Sequence, residues 1–84
     1  MNTILWTARA ARQLRKLDRR YQIVIRDAVS TLAGMPACAN VKRLVNHDCG
    51  YRLRVGDYRV LFNWKQTIEI VQIEAIRKRD ERTY

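Results

Sequence analysis

The stretch Tyr51-Arg52-Leu53-Arg54-Val55-Gly56-Asp57-Tyr58-Arg59-Val60-Leu61-Phe62 constrains this chain more than any other. Apolar residues alternate with basic ones around Gly56-Asp57, the period of a half-buried strand. A Gly-Asp pair between two such runs reads as the two-residue loop of a hairpin. That loop sets the register: Val55 faces Tyr58, Arg54 faces Arg59, Leu53 faces Val60 and Arg52 faces Leu61. Tyr51, Leu53, Val55, Tyr58, Val60 and Phe62 then share one face, and Arg52, Arg54 and Arg59 share the other.

Like charges directly opposed across a hairpin destabilise it, and a sheet needing only solubility would mix its signs. Three guanidiniums on one pleated face suit phosphate, because the planar fork binds it in a bidentate way and keeps its charge at any working pH. The alternative is a solvated basic face on a basic chain. The whole chain is basic: 17 Lys and Arg against 8 Asp and Glu give a net charge of +9. Such a balance predicts a polyanionic partner: nucleic acid, a membrane surface or an acidic protein.

At 84 residues the chain reads as one domain, 1–84. No apolar run approaches a membrane span. Arg9, Arg12, Arg15 and Lys16 interrupt any signal-peptide pattern, so a cytoplasmic protein is expected. Cys38 and Cys49 lack zinc-site spacing and read as reduced thiols in or near the core. No carboxylate cluster suited to Mg²⁺ is visible, so neither a metal nor another cofactor is expected.

Along the chain, Thr3-Ile4-Leu5-Trp6 reads as a strand and Thr7 as a helix N-cap. Ala10, Leu14 and Leu17 recur at helical spacing, and Asp18 reads as the N-cap of a second helix. Tyr21, Val24, Ile25, Ala28, Val29 and Leu32 form that helix's apolar stripe, with Gly34 and Met35-Pro36 as its stop. Residues 36–49 read as a connector with weak structure, fastened by Val41, Leu44 and Val45. It carries Lys42, Arg43 and the sole histidine, His47. A strand is expected over Ile68–Ile76, apolar on both faces, which suits a central strand or one with a bulge. The fold class is therefore α+β with element order βααβββ. The last three strands form an antiparallel meander, a helical hairpin covers one face, and the first strand lies at an edge or beside the last.

Gly50-Tyr51-Arg52-Leu53-Arg54-Val55-Gly56-Asp57-Tyr58-Arg59-Val60, followed by a strand and Lys78-Arg79-Asp80-Glu81 with Tyr84, resembles the RelE/ParE superfamily of bacterial type II toxins. The resemblance spans essentially the whole chain, and the closing residues lean towards the RelE branch, whose members cleave messenger RNA in the ribosomal A site. It implies a RelE-like fold, and as partners a cognate acidic antitoxin and the 70S ribosome carrying mRNA. It also implies a metal-independent endoribonuclease.

The implied catalytic residues are Arg52, Arg54, Arg59, Arg79 and Tyr84. By this resemblance Arg59 contacts phosphate, Arg79 acts near the leaving group and Tyr84 stacks on the substrate nucleotide. Lys42, Arg43, Lys78 and Arg82 are expected to bind RNA. Family members often have lysines where Arg52 and Arg54 stand. Guanidinium is effectively never deprotonated, so the general base is open among His47, Asp80 and Glu81. Two other readings stand beside this one: a ParE-like toxin that poisons DNA gyrase without cutting RNA, and a basic nucleic-acid-binding module without catalysis.

Overall fold

The computed structural model describes residues 1–78. The hairpin forms in the expected register, with Val55 opposite Tyr58, Arg54 opposite Arg59, Leu53 opposite Val60 and Arg52 opposite Leu61. Its strands are β3 (Tyr51–Val55) and β4 (Tyr58–Lys65). Gly56 sits at φ +56, a left-handed conformation that glycine adopts without steric cost and that a type II′ turn needs at its first loop position.

Three more strands complete the sheet: β1 (Thr3–Trp6), β2 (Val41–Arg43) and β5 (Ile70–Lys78), in the order β1-β5-β4-β3-β2. β1 runs parallel to β5 and lies at the edge, so both parts of that expectation hold together. The meander is antiparallel throughout. Two expectations are corrected. The connector 36–49 contains a strand, β2, whose Val41 pairs with Leu53 and Lys42 with Arg52. The final strand begins at Ile70, because Gln66–Ile68 form a short 3₁₀ turn that leaves Ile68 exposed.

Helices α1 (Ala8–Arg15) and α2 (Arg19–Ser30) cover one face. Thr7 caps α1: its hydroxyl accepts from Ala10 N at 3.1 Å and donates to the Glu74 carbonyl at 3.3 Å. Asp18 stands at the N-cap of α2, but its side chain makes no capping bond. The α-helix ends at Ser30 and tightens into a 3₁₀ turn over Thr31–Gly34, so Gly34 closes that turn. Ala10, Leu14, Ile25, Val29 and Leu32 pack on Leu53, Val60, Phe62, Val71 and Ile73. Burying each of the larger side chains contributes about 1.5–3 kcal/mol. Tyr21 and Val24 of the expected stripe are exposed instead, and border a groove beyond the sheet's hairpin end.

β5 is both central and bulged. Ile73 pairs with Phe62 and Ala75 with Leu61, which leaves Glu74 as the extra residue. A bulge resets the alternation of a strand. Val71 and Ile73 before it and Ile76 after it therefore all reach the same core. Where β1 ends, the Ile76 N–H donates to Gln13 Oε1 at 2.7 Å, so α1 satisfies the exposed edge of β5.

Candidate functional site: the open face of the sheet

The face turned away from the helices is built by register. Arg54, Arg59 and Arg77 stand side by side on β3, β4 and β5. Directly opposed residues of antiparallel strands have Cα atoms about 4.5–5.5 Å apart, so the three form one row across the sheet. The next row runs Lys42, Arg52, Leu61 and Ala75. Lys42, Leu44, Arg52 and Arg59 line a concavity of about 270 Å³. Among the described residues the only ion pair joins the N-terminal amine to Glu69, far from these rows.

Arg52, Arg54 and Arg59 are brought together as expected, and Lys42 joins them. Arg43 pairs with Tyr51 and Lys78 with Tyr58, which puts both on the helix-covered side of the sheet. Lys78 there borders the apolar groove with Tyr21, Val24 and Tyr58. Arg79, Asp80, Glu81, Arg82 and Tyr84 lie outside the described residues. Arg77 is the member of the row that sequence reasoning missed. Counted from Val71 and Ile73 in strict alternation it belongs to the core side, and only the bulge at Glu74 moves it to the open face. The signal was Ile76, a core-sized residue in the wrong phase.

Beyond the second row lies a polar pocket of about 290 Å³, bordered by His47, Asn63, Glu74 and Arg77. Its apolar floor is a small cluster of Cys49, Leu61 and Ala75, with Leu44 against it. Burial pushes the Cys49 thiol up, Glu74 and Asp48 push it further, and Arg9 and Arg77 oppose them. His47 is exposed, and its Nδ1 accepts from the Cys49 N–H at 3.0 Å. The neutral ring then carries its proton on Nε2, so in this arrangement it offers a donor and no free lone pair. Among the described residues, no cluster of three or more His, Cys, Asp or Glu could hold a metal ion. No described helix is long and apolar enough to cross a membrane.

The sequence matches the model for the ParE toxin of type II toxin-antitoxin systems over residues 4–83. The chain belongs to this family. It is a toxin of the RelE/ParE superfamily, and the solved structures it resembles include RelE toxins. The toxin of the RelBE2 complex from Mycobacterium tuberculosis is 25% identical, with a TM-score of 0.79 over 93% of this chain and 98% of that one. RelE in the archaeal RelE–RelB complex from Pyrococcus horikoshii is 19% identical, with a TM-score of 0.81 over 95% and 97%. The isolated RelE toxin of E. coli is 14% identical, with a TM-score of 0.80 over 99% and 89%. No curated protein matches the sequence. The ParE-family toxin thus keeps the RelE fold at low identity, with the arginine rows on the face opposite the helices.

Proposed function

We propose that this toxin is a ribosome-dependent endoribonuclease that cuts mRNA in the A site. The observation that carries the reading is the row Arg54–Arg59–Arg77, with Arg52 and Lys42 beside it on one open face. Cleavage uses the RNA's own 2′-OH, which attacks the adjacent phosphorus as its proton leaves. Negative charge develops on the phosphorane oxygens, and the 5′ oxygen departs with a proton. Fixed guanidiniums are matched to the developing charge, where preorganised donors act most strongly. They are unsuited to removing the first proton. Positioning by the ribosome supplies part of the rate, since alignment alone is worth several kcal/mol. Arg79 near the leaving oxygen and Tyr84 against a base complete the proposal from the resemblance. An acidic antitoxin silences the toxin by covering this charge, and the site of action is the cytoplasm, where ribosomes are.

A second reading has one observation in its favour: the matching family model is that of ParE toxins. On that reading the basic face engages DNA gyrase without cutting RNA. Single-turnover cleavage on programmed ribosomes, with ribosome binding measured separately, separates the two. The parent cuts in the A site. Arg59→Ala and Arg79→Ala each lose about 10²–10³ in rate while still folding and still binding the antitoxin. If both variants cut like the parent, the proposed face is wrong. If the parent leaves mRNA intact and traps gyrase in cleaved DNA, the second reading replaces the first.

A further inference from the structure

We propose that the polar pocket beside the arginine row is a nucleobase subsite, and that Glu74 selects guanine there. The inference rests on the ribonuclease reading, which puts RNA on this face. The bulge turns Glu74 and Ala75 towards the same side, so a carboxylate stands next to an apolar floor that strict alternation would not provide. The carboxylate is held in place. Gly50 N donates to Asn63 Oδ1 at 2.8 Å, and Asn63 Nδ2 donates to Glu74 Oε2 at 3.2 Å. Both ends of the Asn63 amide are thereby used, and its orientation fixes that of Glu74. The other carboxylate oxygen, Oε1, takes no hydrogen bond from the described residues.

A pocket of about 290 Å³ lies at the small end of ligand sites, the size for one base. Leu61, Ala75 and Cys49, all buried, form its apolar floor. Arg9 and Arg77 stand at the rim, where guanidinium planes stack on unpaired bases. Arg77 also belongs to the row assigned to phosphate, which couples the two sites through one residue. Single-stranded RNA is read by this combination of stacking and edge hydrogen bonds. A carboxylate only accepts. Among the bases guanine alone offers an adjacent imino N–H and amino N–H₂ on its pairing edge, and uracil presents mainly carbonyl oxygens.

The direct test is an NMR titration of the free toxin with guanosine 5′-monophosphate and, separately, uridine 5′-monophosphate. The guanine nucleotide shifts the Gly50 amide and the Asn63 side-chain amide, and the uridine nucleotide leaves them in place. Glu74→Gln weakens guanine binding roughly tenfold, the scale of one bidentate base contact. On programmed ribosomes the parent favours guanine at one fixed position relative to the cut. Glu74→Gln flattens that preference by a similar factor. Equal shifts with both nucleotides, no shift with either, or an unaltered codon ranking in Glu74→Gln overturns the subsite. Guanine-selective shifts without ribosomal cutting by the parent would sink the ribonuclease reading and leave the subsite standing.

Discussion

The two faces of this sheet come from the same strands and follow opposite rules. On the helix side Leu53, Val60, Phe62, Val71 and Ile73 are at most 2% exposed. On the open side the same strands present Arg52, Arg54, Arg59 and Arg77, beside an apolar cluster of Cys49, Leu61 and Ala75. The first face holds the chain together. The second sets like charges opposite one another, which weakens the ladder. Local conflict of that kind is expected where function outranks stability.

The largest expected effect breaks the comparison on its stable side. Phe62→Ala removes a fully buried ring that stacks on Tyr51 at 5.5 Å. Its cost is about 3–5 kcal/mol, out of a total that is only about 5–15 kcal/mol for a domain. Urea unfolding should show a large share of the stability gone. Arg77→Ala, on the neighbouring strand but the opposite face, should unfold within about 0.5 kcal/mol of the parent, and its loss should appear in cleavage instead. An Arg77 variant that unfolds as readily as Phe62→Ala would mean the open face is structural too.

What was legible in the chain divides along the same line. The hairpin register could be read because alternation and the Gly56-Asp57 loop each fix it alone. The α1 stripe and the Thr7 cap could be read because they are local. β2 could not, since its three residues pair with β3 and carry no alternation long enough to notice. Arg77 and Glu74 were hidden for a different reason: a single bulged residue changes the phase of everything after it. Asn63 was hidden as well, because its contacts reach Gly50 and Glu74, 13 and 11 residues away. The open face therefore announced its charge in the sequence, but its shape depended on one irregularity.

A middle-sized effect tests how that irregularity is held. The Thr7 hydroxyl caps α1 and also donates to the carbonyl of the bulged Glu74. Thr7→Ala should cost about 1 kcal/mol, as a lost N-cap does. Hydrogen exchange sharpens the result. If Thr7 anchors the bulge, protection should fall at Ala75 and Ile76 as well as in the first turn of α1. Loss confined to the helix would show that the bulge is held by the sheet alone.

The smallest expected effect is the most direct probe of the conflict on the open face. Arg54 is exposed and lies directly opposite Arg59 in the hairpin. Arg54→Glu replaces a like-charged cross-strand pair with an opposite one, and such pairs differ by about 0.2–1 kcal/mol. Solvent screens an exposed pair, so the gain belongs at the low end of that range. The variant should therefore unfold at slightly higher urea than the parent in dilute salt. The difference should shrink towards zero near 1 M salt, where the screening length falls to about 3 Å. Ribosomal cleavage should drop at the same time, because a carboxylate now faces the phosphate. Stability and activity would then move in opposite directions from one residue. A variant with unchanged or reduced stability in low salt would show that the arginine row carries no electrostatic strain, and that the two faces differ in composition but not in energy.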